Sequence, residues 1–535
     1  MHKGYVSLIL HAHLPYVRHP EYENFLEEKW FYEALTESYI PLINVFESLE
    51  RDKVDFRISM TLTPTLLSLM SDNLIKHRYL RYLERLLDLT EKEIQRTQKY
   101  EPYLYPVARM YESRFKEVYH TYVDRYHFDI IGAFRKFMDA GKLEVITCAA
   151  THGFLPFIAL HPEALRAQIK IGVDTYRRFF DRNPVGFWLP ECAYVPEVDI
   201  PLREEDIKYV IIETHGLIYG TPRPKYGTFA PVITQGGIAA FGRDVESSKQ
   251  VWSASEGYPG DYDYREYYRD IGYDLDFEYI RPYIHPDGIR INTGIKYYKI
   301  TGKGDYKEPY DRKAALEKAA IHAGNFMFNR EHQIRYVSGG MERPPIVVCP
   351  YDAELFGHWW FEGPDWLNYL FRKAAYDQQV FRFITPGEYL EMYPENQLSN
   401  PSPSSWGNKG YFEVWLNQTN DWIYRHLHKA AERMIELAEM FPDARGLKKD
   451  ALNQASRELL LAQSSDWAFI MNSGTMVDYA VNRIKLHINR FTRLYEEIKK
   501  GSIDESWLRG LESRDNIFPD IDYRVYRPVT RPLYP

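Results

Sequence analysis

Seven short segments of apolar and β-branched residues punctuate the chain, at 5–13, 56–62, 143–151, 185–192, 209–214, 345–352 and, more weakly, 380–385. Runs that are apolar throughout mark strands covered on both faces, as in a parallel sheet. The stretches between them carry helical spacing, for example 163–180 and 313–328. Strands alternating with helices predict a parallel sheet with helical crossovers. Seven such strands in this order point to a barrel. The competing open, doubly wound sheet would carry a glycine-rich phosphate loop after its first strand, and that position reads His11-Ala12-His13-Leu14-Pro15 instead.

Two insertions interrupt the alternation. Residues 66–130 are charged and helical, with a capping box expected at Thr90 to Glu93, and read as a helical subdomain. Residues 220–299 are rich in Gly, Pro and Tyr (Tyr258-Pro259-Gly260-Asp261-Tyr262-Asp263-Tyr264-Arg265) and read as a long active-site loop, a candidate lid. The catalytic unit is expected to span 1–395. A Pro/Ser-rich linker at 396–410 then opens a helical C-terminal domain, 396–535, in which Ile423, Leu427, Ala430, Met434 and Leu437 fall on one helix face. At 535 residues, more than one hydrophobic core is expected.

Composition excludes several classes. No apolar run approaches the 18 or so residues of a membrane span, and a chain that is 45% hydrophobic and 27% charged predicts a soluble globular protein. A net charge of -8 without Lys/Arg runs argues against a nucleic-acid partner. Cys148, Cys192 and Cys349 lack metal-ligand spacing and suit a reducing compartment. The apolar stretch before His11 is too short for a signal sequence, so a cytoplasmic location is expected. With 44 Tyr, 28 Phe and 11 Trp, the chain has aromatic surface enough for stacking on sugar rings, although thick cores account for such numbers equally well.

In a parallel barrel the reacting groups sit at the C-terminal strand ends. Those ends carry His11 and His13, His152, Glu191, Glu213 and His215, and Asp352 with Glu354. Glu191 and Asp352 each close an apolar strand, where an ionised carboxylate is costly unless paired or used. One such residue alone reads as a salt bridge. Two, accompanied by histidines and aromatics, read as the paired carboxylates of glycosidic chemistry.

Five ordered motifs carry a resemblance: His11-Ala12-His13-Leu14-Pro15-Tyr16, Thr151-His152-Gly153-Phe154-Leu155-Pro156, Trp188-Leu189-Pro190-Glu191-Cys192, Tyr351-Asp352-Ala353-Glu354-Leu355-Phe356-Gly357-His358-Trp359-Trp360 and Ser464-Ser465-Asp466-Trp467. Together they resemble glycoside hydrolase family 57 across nearly the whole chain. The first reads His-Ala-His where other branches of the family carry His-Gln-Pro. The resemblance implies an incomplete, seven-stranded (β/α)7 TIM-type barrel with a helical insertion and a C-terminal α-helical domain. It also implies a retaining mechanism with Glu191 as nucleophile and Asp352 as general acid/base, without cofactor or metal. Within the family, the length, the helical C-terminal domain and the Ser-Ser-Asp-Trp motif look most like the 1,4-α-glucan branching enzymes, whose partner is an α-glucan such as amylose, starch or glycogen. Hydrolytic α-amylase and 4-α-glucanotransferase activities share the first half-reaction and remain alternatives.

Position suggests the binding residues. His13 and His152 would hydrogen-bond sugar hydroxyls, His11 would orient a neighbour, and Arg265 would reach substrate or a carboxylate. Trp188 and His215 join them at strand ends, and Trp406, Trp415 and Trp467 are candidate stacking platforms, Trp406 foremost because its linker has little core of its own. Asp466 is placed on the helix face of Leu452, Ala455, Leu459 and Ala462, as a buried, partnered carboxylate. A different class, a zinc amidohydrolase built on His11, His13, His152, His215 and Asp352, leaves the Trp-Leu-Pro-Glu motif unexplained. A non-catalytic glucan-binding protein leaves the paired carboxylates unexplained.

Overall fold

The computed structural model describes residues 2–253, 256–302 and 304–528. Among them are ten strands: β1 (Gly4–Ala12), β2 (Ile58–Leu62), β3 (Leu143–Cys148), β4 (Gly186–Trp188), β5 (Tyr209–Ile212), β6 (Val232–Ile233), β7 (Ala239–Gly242), β8 (Ile346–Asp352), β9 (Phe381–Phe383) and β10 (Gln397–Leu398). The sheet order is β10-β6-β7-β5-β4-β3-β2-β1-β8, and only the β6–β7 pairing is antiparallel. A parallel bridge between Arg243 and Val348, with the Asp244 amide donating to the Val348 carbonyl at 2.9 Å, joins β7 to β8. The ring β1-β2-β3-β4-β5-β7-β8 thus closes on seven strands, with one seam that is barely paired. This is the expected incomplete (β/α)7 barrel.

All seven expected segments contain a strand, but their membership of the ring differs in one place. The segment 380–385 forms β9, which pairs with the foot of β1 (Gly4 with Phe381) below the point where β2 begins its pairing (Ile9 with Ser59). The seventh ring strand is β7. It reads Ala-Ala-Phe-Gly, in which the Ala and Gly residues have weak strand preference, and is fully buried between its neighbours. The segment 185–192 is strand only over Gly186–Trp188. Pro190 has no amide for the ladder, and Glu191 and Cys192 take left-handed backbone with φ of 62° and 49°.

Register places the chemistry. β1 is buried along its whole length, and His11 lies level with Thr61 on β2 and with Asp352 on β8, so the first histidine and the last strand-end carboxylate share one level of the barrel.

In 66–130 two long helices, Asn73–Tyr100 and Tyr105–Tyr119, form the helical insertion, and the Asp72 side chain caps the first by accepting from the Ile75 amide at 3.0 Å. The capping box expected at Thr90 is absent. Thr90 lies inside the first helix, where its hydroxyl donates to the Leu86 carbonyl at 2.6 Å and Glu93 instead pairs with Arg96. Residues 220–299 are not an open loop. Besides β6 and β7 they hold a helix at Val245–Trp252 and a packed layer pinned by buried Asp270, whose carboxylate accepts from the amides of Gly272, Thr293 and Gly294 and from Lys296 Nζ.

The stretch 396–410 crosses the barrel mouth, exchanging backbone hydrogen bonds with Tyr194 and Gly216, and leads into helices at Tyr424–Met440, Gly446–Ala462, Ser465–Ser473, Val477–Lys500 and Glu505–Arg514. The expected face of Ile423, Leu427, Ala430, Met434 and Leu437 is buried. A separate apolar core of Phe154, Ala193, Trp415, Trp467 and Ile484 fastens these helices to the mouth. Among the described residues no helix is long and apolar enough to cross a membrane.

Candidate active site

The C-terminal ends of β1, β4 and β8, the turn after β3 and the start of helix Ser465–Ser473 enclose a cavity of about 660 Å³. Glu191, Asp352, His11, His13, His152, Trp406 and Asp466 all line it. One helical-domain turn therefore completes a site built on the barrel.

Glu191 occupies a left-handed backbone conformation, which costs a residue with a Cβ about 1–2 kcal/mol. The surroundings hold it there. The Trp406 amide donates to the Glu191 carbonyl at 3.0 Å, Trp406 Nε1 donates to Oε2 at 2.8 Å, and Ser465 Oγ stands 2.9 Å from Oε1. Burial raises the Glu191 carboxyl to about 7; the hydrogen bonds from Trp406 and Ser465 and the charge of His13 restrain the rise, while Asp466 adds to it.

Asp352 closes β8. Burial, then the negative charges of Glu354 and Glu191, push it well above the ordinary carboxylate range, and Arg243 opposes them. Glu354 accepts from the Tyr39 hydroxyl and from the His13 amide. Arg243, at the end of β7, pairs with Glu213 at 3.0 Å and lies over the Trp406 ring.

The three histidines stack into one assembly. His11 lies on Trp188 with ring centroids 4.4 Å apart, and His13 lies on His152 at 3.9 Å. His13 Nε2 donates to Asp466 at 3.0 Å and its Nδ1 faces Thr63 Oγ1 at 3.1 Å. Burial, then the neighbouring histidines, keep His11 and His152 well below the usual imidazole range and hence neutral. For Asp466, burial alone would raise the carboxyl; His13, His152 and Ser464 outweigh it and hold the group at about 2.

The structure brings some expected residues together and removes others. Asp466 is partnered, by His13, but its side chain is only part-buried, and it is not on the face of Leu452 to Ala462. That helix ends at Ala462, and Asp466 sits in the first turn of the next one. Trp188 is wholly buried and supports His11 without reaching the cavity. Trp415 forms the cavity wall, stacked on Phe154 at 4.6 Å. Trp467 is a packing residue whose Nε1 donates to the Leu461 carbonyl at 2.8 Å. His215 lies outside the cavity, against Gly410 and Tyr411. Arg265 is buried over the Phe361 ring, bonded to Tyr111 and the His358 carbonyl, and does not reach the site.

The zinc arrangement does not assemble, since His215 is elsewhere. His13, His152 and Asp466 do bring ligand atoms within 4.8 Å of one another, yet each is engaged in hydrogen bonds to a protein group.

Sequence reasoning passed over Arg243, because β7 was not recognised, and the half-exposed rim aromatics Trp252, Trp359 and Phe469. Ser465 stood inside a quoted motif without a role. The signal for the aromatics was the composition itself, which does not say which rings stay exposed.

Comparison with known proteins agrees with this geometry. A model described as "1,4-alpha-glucan branching enzyme, C-terminal" matches residues 426–526. The chain is 35% identical to a 1,4-alpha-glucan branching enzyme of Thermococcus kodakarensis, covering 96% of this chain and 77% of that protein. Among solved structures it is similar to the alpha-amylase AmyC from Thermotoga maritima (44% identity, TM-score 0.93, covering 99% of this chain and 100% of that one). It is also similar to a family 57-type branching enzyme from Pyrococcus horikoshii (33% identity, TM-score 0.88, covering 100% and 98%). Since the model described as "Glycosyl hydrolase family 57" matches residues 7–401, which hold the whole barrel with both of its strand-end carboxylates, the chain belongs to that family.

Proposed function

We propose that this chain is a retaining α-glucan transglycosylase, a 1,4-α-glucan branching enzyme, with Glu191 as nucleophile and Asp352 as general acid/base. The observation that carries the roles is the contrast between the two carboxylates in one cavity. Glu191 receives hydrogen bonds from Trp406 and Ser465, which favour its charged form. Asp352 faces the negative charges of Glu354 and Glu191, which favour its protonated form. Environments that separate two carboxyls in this way assign the nucleophile and the acid.

Glu191 attacks the anomeric carbon of an α-1,4 bond while Asp352 gives its proton to the departing glycosidic oxygen. The acceptor's 6-hydroxyl then attacks the same carbon, Asp352 takes its proton back, and the bond to Glu191 breaks. Two inversions give net retention and an α-1,6 branch. The helical domain, which contributes Asp466 to the cavity and Ser465 to the Glu191 carboxylate and contains the branching-enzyme C-terminal match, supports this reading.

Hydrolysis is the second reading, favoured by the 44% identity to an alpha-amylase. It differs only in water replacing the acceptor hydroxyl. Incubation with amylose separates the two, with new α-1,6 linkages scored by proton NMR against reducing ends and Glu191→Gln as control. Branch points exceeding reducing ends establish branching. Reducing ends without branch points make the chain an amylase, and an active Glu191→Gln variant removes the assigned nucleophile.

A further inference from the structure

Ser465 Oγ stands 2.9 Å from Glu191 Oε1 and 2.9 Å from His152 Nδ1. His152 Nε2 is 3.0 Å from His11 Nε2, and the chain ends at His11 Nδ1, which is buried without a hydrogen-bond partner among the described residues. A hydroxyl carries one proton and a neutral imidazole carries one, so four groups in a row can be ordered in only two ways.

In the first, Ser465 donates to Glu191, His152 Nδ1–H donates to Ser465, and His11 Nε2–H donates to His152, leaving His11 Nδ1 a bare nitrogen. In the second every bond is reversed. A protonated Glu191 donates to Ser465, Ser465 to His152 Nδ1, and His152 to His11 Nε2, leaving His11 with an N–H at Nδ1. Either order leaves His11 Nδ1 unpaired, as a bare nitrogen or as an N–H; what separates them is Glu191, which only in the first order is a carboxylate accepting charge-assisted hydrogen bonds from both Ser465 Oγ and Trp406 Nε1. These two donors select the first order.

We propose that Ser465 is a positioning residue for Glu191, and that the His11–His152–Ser465 chain has one fixed direction of hydrogen bonding, which favours the carboxylate form of Glu191. Because Ser465 belongs to the C-terminal helical domain, the barrel's nucleophile is prepared only when that domain is docked.

The kinetic consequence rests on the assignment of Glu191 as nucleophile; the direction of the chain does not. Other groups facing Glu191 are His13, His152, Asp352, Asp466 and the thiols of Cys148 and Cys192, and replacing Ser465 leaves all of them in place. Ser465→Ala removes one of two donors to the carboxylate. The acid limb of kcat/KM on amylose should move to higher pH by about one unit, the shift that one hydrogen bond to a charged group supports. Ser465→Thr, which keeps the hydroxyl, should return it. An acid limb that stays in place while activity falls equally at every pH would overturn the proposal.

NMR of the full-length protein with 15N-labelled histidine, assigned through His11→Gln and His152→Gln, reads the chain without catalysis. The expected result is the Nδ1–H tautomer at His152 and the Nε2–H tautomer at His11; the reverse pair, or a charged ring at neutral pH, overturns the direction. Activity retained by Glu191→Gln would refute the nucleophile assignment while leaving these tautomers unchanged, so the two failures are distinguishable.

Discussion

Trp406 holds Glu191 twice: its amide donates to the Glu191 carbonyl at 3.0 Å and its Nε1 donates to the Glu191 carboxylate at 2.8 Å. The first bond helps to fix a left-handed backbone, and the second fixes the side chain that this backbone aims into the cavity. One residue from the stretch that crosses the barrel mouth therefore fixes both the backbone and the side chain of Glu191.

Trp406→Phe separates these contributions, because it keeps the amide and an aromatic ring while removing the pyrrole edge that carries Nε1–H. A hydrogen bond to a charged group is worth about 1.5–3 kcal/mol, so kcat/KM should fall roughly 10- to 100-fold. The acid limb should move to higher pH, because the lost donor favours the charged form of Glu191. Steady-state rates on amylose across pH check both. A drop in kcat/KM with an unmoved acid limb would reduce Trp406 to a stacking platform.

Asp466 and His13 form a nearly buried ion pair at 3.0 Å between the helical domain and the barrel. Asp466 titrates at about 2 in the fold against an ordinary 3.8, so its share of stability is present above about pH 4 and is lost as pH falls toward 2. For His13, burial would lower the ordinary 6.5, but Asp466 and then Glu354 and Glu191 raise it on balance. Its share is complete below about pH 6.5 and is lost as pH rises through the raised value. The pair is strongest between these limits. Asp466→Asn should cost about 2 kcal/mol near pH 5.5 and less at alkaline pH, where His13 is neutral. Thermal unfolding of both proteins at about pH 5.5 and 9 tests this, and a loss that grows toward alkaline pH would contradict it.

The same two residues show what was legible in the sequence. His13 and Asp466 lie 453 positions apart, and each stood out by type and place: a histidine at a strand end, an acid in an apolar neighbourhood. Their contact could not be read, because it depends on how a helix packs against a barrel. The apolar strands were legible wherever burial demanded Val, Ile or Leu. β7 was not, since its Ala-Ala-Phe-Gly stretch is short and carries no β-branched residue, and Arg243 at its end was lost with it. Glycine and tyrosine content made 220–299 look like a loop, whereas Asp270 binds that segment's amides as a helix or sheet would bind its own. His215 and Arg265 failed as site residues for another reason. A polar side chain is equally suited to fastening loops together: His215 packs against Tyr411, and Arg265, in the 220–299 segment, is buried against Tyr111.

Glu354 and Arg243 act on Asp352 with opposite charges: burial followed by Glu354 and Glu191 pushes Asp352 well above the ordinary carboxylate range, and Arg243 opposes them. Glu354→Gln removes a negative neighbour while leaving a side chain that still accepts from Tyr39 and from the His13 amide. Asp352 should then lose its proton more readily, and the alkaline limb of kcat/KM should move to lower pH. Arg243→Gln removes the positive neighbour and should move the same limb to higher pH. The paired variants control for damage to the cavity, since general disruption would shift both limbs in the same direction or neither. Initial rates on amylose across the alkaline range measure the effect. Equal profiles for the two variants would mean that burial alone sets the proton on Asp352, and that Glu354 serves only to fasten the turn after β8 to Tyr39 and His13.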